Sequence, residues 1–98
     1  GRAVRTRRWK YAVTAPQANP VSDPSADRYQ EEALYDLLAD PYELNNLAGL
    51  TSHQAVAERM RERLLKRMAE AGEPLPEIVP APPRPGGQKI VRQEEIDR

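Results

Sequence analysis

Hydrophobic and polar positions alternate with a period of two over residues 9–14. Trp9, Tyr11 and Val13 fall on one side and Lys10, Ala12 and Thr14 on the other, which predicts a half-buried strand. Residues 3–6 also favour extended structure. Arg7-Arg8 between the two runs admits two readings, a two-residue hairpin turn or a bulge within one strand. The hairpin is locally unfavourable, because primed turns need positive φ and prefer Asn or Gly. Residues 33–38 return to strand character, with Tyr35 and Leu37 on one face and Leu34, Asp36 and Leu38 on the other. Apolar residues on both faces predict the central strand of a small sheet. The period then changes. Over residues 51–71, Val56, Met60, Leu64, Met68 and Ala71 recur on one helical face, flanked by Ala57 and Leu65. Thr51 with Gln54 forms a capping-box pattern, Glu62 and Lys66 are spaced for an ion pair worth about 0.3 kcal/mol, and Gly72 supplies the stop. A helix of that length is a rod of roughly 30 Å, enough to cover one face of a small sheet.

The segments between these runs are punctuated by proline. Residues 15–30 hold Pro16, Pro20 and Pro24 among small and polar neighbours and read as a surface loop. Asp40-Pro41-Tyr42-Glu43 is a helix-start pattern: Asp40 caps, Pro41 suits the first helical position, and Glu43 follows the cap by three. Leu44 and Leu47 are its apolar anchors, and Asn45-Asn46 can close the turn. From Glu73 onward, six prolines and Gly86-Gly87 predict an extended, polyproline-like tail without packed structure, in which residues 89–91 could pair with a sheet edge. The expected fold is therefore α+β: a small antiparallel β-sheet covered by one long C-terminal α-helix, followed by an extended Pro-rich tail. Residues 1–72 form the subdomain and residues 73–98 the Pro/Gly-rich tail.

Composition narrows this picture. A chain of 98 residues with no Phe and one Trp has room for one small domain with a thin core. The charges balance to zero, so no overall field attracts nucleic acid or an anionic membrane. The absence of Cys removes disulfides, thiolate metal sites and a cysteine nucleophile. No apolar run is long enough to span a bilayer or serve as a signal segment. The chain opens on Gly1 with strand character almost at once, and is expected to be a piece of a longer protein.

Three groupings invite a chemical reading, and each has a simpler one. Asp36, Asp40 and Glu43 are spaced for strand exit and capping rather than for metal ligation, which needs convergent ligands with a fixed outer shell. His53, the one histidine, falls in the first helical turn, where the helix dipole disfavours a positive charge, and no partner is placed beside it by motif. The basic start, with Arg2, Arg5, Arg7, Arg8 and Lys10, interleaves Trp9 and Tyr11 as a nucleic-acid binder would. The alternation instead assigns both aromatics to the core face.

Residues 34–48, Leu34 to Ala48, closely resemble the LYDL-x-x-DP-x-E-x-x-NLA signature near the C-terminus of sulfatases. Its positions here are Leu34, Tyr35, Asp36, Leu37, Asp40, Pro41, Glu43, Asn46 and Leu47. Val4-Arg5-Thr6 followed by Trp9-Lys10-Tyr11 resembles the strand pair that precedes the signature in that family. The helix falls where the family places its terminal helix. The resemblance implies a C-terminal accessory subdomain, truncated on its N-terminal side, that packs on a missing α/β catalytic domain and helps shape the rim of the substrate cleft. It implies that calcium and formylglycine belong to that domain, and that this chain carries no catalytic, metal or cofactor residue of its own. Arg5 and Lys10 would be its contacts at the cleft rim, facing an anionic sulfate ester. Related phosphate and phosphonate ester hydrolases share that architecture. Ser22-Asp23-Pro24-Ser25-Ala26 is similar to the motif whose first residue becomes formylglycine, but Ala26 stands where that motif has Arg. Two other functions compete: a free-standing helix-plus-sheet interaction module, and a basic nucleic-acid-binding hairpin.

Overall fold

Trp9, Tyr11 and Val13 are all buried, as their alternation predicts, and they anchor the central layer of the protein. The computed structural model describes residues 1–15, 28–86, 91 and 96. Strand β1 (Arg2–Arg5) turns into β2 (Trp9–Thr14), which pairs antiparallel with β3 (Arg28–Asp36). A 3-10 turn (Thr51–His53) then leads into helix α1 (Gln54–Glu70), and a short strand β4 (Glu77–Val79) closes the sheet in the order β1-β2-β3-β4. The architecture is α+β.

The hairpin reading of Arg7-Arg8 is the correct one. Arg5 pairs with Lys10, the Thr6 N–H donates to the Trp9 carbonyl at 2.8 Å, and the Trp9 N–H donates to the Thr6 hydroxyl at 3.1 Å. Neither arginine has positive φ, so the turn is not a primed one, and the Thr6 side chain takes the place of a backbone acceptor. The expected loop over residues 15–30 is shorter at its far end, because β3 begins at Arg28. Gln30 pairs with Thr14, and Tyr29 packs into the core. Residues 16–27, with the Ser22–Ala26 motif among them, lie outside the described residues.

A bulge makes the long β3 possible. Ala12 pairs with Ala33 but Val13 pairs with Glu31, so Glu32 is the extra residue. The one-residue slip puts Tyr29 and Glu31 on the same face as Leu34 and Asp36. That face is covered by α1 through Val56, Ala57, Met60, Leu64 and Met68, with Val4, Val91 and Ile96 completing the core. Each large side chain so buried contributes about 1.5–3 kcal/mol.

Several helix details differ from expectation. No side chain caps either start; the Thr51 N–H instead donates to the Arg84 carbonyl. Ala71 is exposed, because the helix has already ended there. Glu62 pairs with Arg59 at 3.4 Å instead of with Lys66. The Gly72 stop is as expected: φ is +77, the Gly72 N–H donates to Ala69 and the Glu73 N–H to Met68, which is a Schellman motif.

Two expectations are overturned. The sheet is mixed rather than wholly antiparallel, because β4 runs parallel to β3, Ile78 opposite Tyr29. The chain beyond Gly72 is also not without packed structure: β4 joins the sheet, although Leu75 and most of the prolines up to residue 85 stay exposed. Ile78 lies against the core, and Leu50 bridges Arg84. The prolines flank β4 without interrupting it, and three consecutive residues able to extend were enough to complete the β3 edge. Of residues 89–91 only Val91 is described; it is buried and its N–H donates to the Ser52 carbonyl at 2.9 Å.

Candidate functional site

The residues that carry the sulfatase-like motif form the end of β3 and the loop that follows it. Asp36 closes the strand and starts the turn. Its Oδ1 accepts from the N–H groups of Leu38 at 3.2 Å and Ala39 at 3.3 Å, and the Arg8 guanidinium donates to the same carboxylate at 3.0 Å. Burial pushes the Asp36 carboxyl up, but the hydrogen bonds from Arg8, Ala39 and Leu38 outweigh it and hold the group below the usual carboxylate range. Arg8 in turn lies over the Trp9 ring, 4.6 Å from its centroid, so one cation serves the turn and the core together.

The helix predicted from Asp40-Pro41 does not form. Asp40 instead accepts from the Leu44 N–H on Oδ1 and from the Asn45 N–H on Oδ2, both at 2.9 Å. Between them Glu43 has φ of 57, a left-handed residue that reverses the chain. A first helical turn is costly to nucleate. Here the chain gains more by returning at once to β3, where the Leu47 N–H donates to the Leu34 carbonyl at 2.8 Å. Asn46 completes the return. Its Oδ1 accepts from Leu34 and Ala48, and its Nδ2 donates to the Glu32 carbonyl at 2.8 Å, satisfying the β3 edge where no strand pairs with it.

Held this way, the loop presents apolar side chains outward. Leu38 is 64% exposed, Tyr42 83% and Leu44 78%. Glu43, between the last two, reaches Lys10 at 2.8 Å. Lys10, Arg5 and Tyr35 form one cross-strand row on the sheet face away from α1, beside a second row of Ala3, Ala12 and Ala33. The two residues proposed for a cleft rim are thus neighbours: Arg5 is exposed, and Lys10 is half-buried and bound to Glu43.

A second polar group lies inside the helix-covered face. Glu31, which is buried, accepts from the Tyr11 hydroxyl, from Arg61 at 2.7 Å and from the Ala81 N–H at 3.0 Å. Burial, then the adjacent carboxylate, pushes the Tyr11 phenol well above its ordinary value. A cleft of about 320 Å³ opens beside this group, with Gln54, Glu58 and Arg61 on one wall and Pro80, Pro82 and Pro83 on the other. Sequence reading missed Glu31 because it lies in a polar run, and only the bulge at Glu32 turns it inward.

The chemistry available is limited. The buried Ser52 hydroxyl bonds to its neighbour His53 through Nδ1 at 2.7 Å, and desolvation lowers the His53 pKa. Among the described residues no three carboxylates or histidines are placed to hold a metal ion, and no helix is long and apolar enough to cross a membrane. Comparison with protein-family models, curated proteins and solved structures finds no match for this chain. The likeness to sulfatases therefore rests on the short motifs at residues 4–6, 9–11 and 34–48.

Proposed function

We propose that this chain is the C-terminal accessory subdomain of a sulfuric ester hydrolase, and that the loop after β3 docks on the catalytic α/β domain of the same protein. The observation that supports this reading is the contrast inside residues 36–47. Asp36, Asp40 and Asn46 spend their polar atoms on the loop's own backbone, while Leu38, Tyr42 and Leu44 are left facing outward. A rigid loop that displays large apolar side chains suits a surface to be covered by another body. Arg5 and Lys10, on the adjoining sheet face, would then lie at the rim of the substrate cleft. Calcium and formylglycine would be supplied by the catalytic domain, as the resemblance implies; among the described residues no three carboxylates or histidines are placed to hold a metal ion. Residues 73–86 extend the subdomain through β4 and the proline-rich segment after it.

The reading is tested by the coding sequence immediately upstream of Gly1. It predicts an open frame carrying a formylglycine motif and Asp/Asn metal ligands; a start codon at that point would refute it in favour of a free-standing interaction module. The chain alone is expected to release no sulfate from an aryl sulfate ester in the presence of calcium.

A further inference from the structure

The segment after α1 does more than fill the edge of the sheet. After β4, the Ala81 N–H is bound by Glu31, and three residues on Arg84 grips the far end of the docking loop. Its Nε donates to the Ala48 carbonyl at 2.9 Å and its Nη2 to the Asn46 carbonyl, while its backbone N–H and C=O bond Gly49 and Thr51. The approach is close enough to dictate residue type. Gly49 has φ of +86, and a Cβ there would fall 2.4 Å from the Pro82 carbonyl oxygen.

We propose that residues 77–84 are a clamp that fixes the position of the docking loop, with Arg84 as its positioning residue. Asn46 is the point of coupling. Its side chain ties the loop to β3, and its backbone carbonyl is held by Arg84, so both ends of the grip meet in one residue. The guanidinium matches this task because its planar fork presents separate nitrogens, Nε and Nη2, to the two carbonyls at a fixed spacing, whereas an ammonium would have to reach both from a single atom on a flexible stem. Pro82 and Pro83 stiffen the segment between the Ala81 and Arg84 anchors, which lowers the entropy lost in seating it. The docking surface would consequently depend on chain more than thirty residues further on, and whatever lifts the clamp from β3 would loosen that surface. What the loop is for rests on the reading above; that the clamp positions it does not.

The test is amide hydrogen exchange on the 98-residue chain with Arg84→Ala and Arg84→Lys. Arg84 is exposed, so neither change threatens the core. The clamp predicts exchange about tenfold or more faster at Leu47, Ala48 and Leu50 in Arg84→Ala, with the amides of β2 and α1 unchanged, and incomplete recovery in Arg84→Lys. Unchanged exchange at those three amides would overturn it. So would uniform acceleration through α1, which would make Arg84 a contributor to global stability only, or full recovery by lysine, which would reduce its role to charge. Exchange is read on the chain alone and is blind to docking. The clamp and the docking role can therefore fail separately.

Discussion

Replacing Asn46 with alanine removes one exposed side chain and leaves three backbone groups without their partner: the N–H of Leu34, the N–H of Ala48 and the carbonyl of Glu32. A net hydrogen bond is worth about 1 kcal/mol, which sets a ceiling of about 3 kcal/mol for the three. Water can reach the exposed Glu32 and, in part, the half-buried Ala48 once the side chain is gone, whereas Leu34 is 1% exposed and its strand edge stays covered. The expected loss is therefore about 2 kcal/mol. For a chain of this size that lowers the melting temperature by about 8–16 °C. Urea denaturation followed by circular dichroism measures it, with an unchanged slope as the sign that the native fold is otherwise retained. Asn45→Ala is the matched control: only the backbone of Asn45 is used by the loop, and its loss should stay within about 0.5 kcal/mol. Equal midpoints for the two variants would refute the assignment of Asn46 as the residue that closes the loop on β3.

Glu43 combines left-handed backbone with a half-exposed ion pair to Lys10. Glu43→Gly should be close to neutral and about 1 kcal/mol more stable than Glu43→Ala, since glycine relieves the strain that alanine keeps; denaturation midpoints in the reverse order would contradict the geometry. Acid should destabilise the fold in two stages. His53 and Asp36 both have folded pKa values below their usual ones, so the unfolded chain takes up protons first, and stability present at neutral pH falls below about 6.5 and again below about 4. His53→Gln should remove the first stage from a plot of melting temperature against pH. Alkali acts through Tyr11, whose folded pKa is raised, so its contribution holds below about 10 and is lost above it. Tyr11→Phe should cost about 1 kcal/mol at neutral pH and flatten the alkaline limb; a limb equally steep in the variant would exclude Tyr11 as its source.

The elements legible in the sequence were those set by near neighbours. The alternation of Trp9, Tyr11 and Val13, the helical stripe from Val56 to Met68 and the Gly72 stop each depend on local period or local φ, and each formed as expected. What was not legible depends on partners distant in sequence. Glu31 is buried because Arg61 and Ala81 meet it, and β4 exists because the β3 edge at residues 28–30 was vacant. Neither partner leaves a periodic trace. The Asp40-Pro41 pattern shows the opposite failure: its residues are those of a helix start, and the cap is made, but to Leu44 and Asn45 across a left-handed Glu43. Within the site, the turn-forming character of Asp36, Asp40 and Asn46 could be read from residue type. The outward display of Leu38, Tyr42 and Leu44 could not, because apolar residues in a short loop give no sign of which way they face.

The account holds that residues 36–47 build a surface and do no chemistry. Its most direct test is the affinity of the chain for the separately produced polypeptide encoded upstream of Gly1, compared with a variant carrying Leu38→Ser, Tyr42→Ser and Leu44→Ser. All three side chains are exposed in the free chain, so the variant should melt at about the same temperature as the parent. It should bind at least about a hundredfold more weakly, the loss expected when the apolar centre of an interface is removed. Equal affinity for the two chains would contradict the account, because the loop would then be rigid and apolar for some other reason.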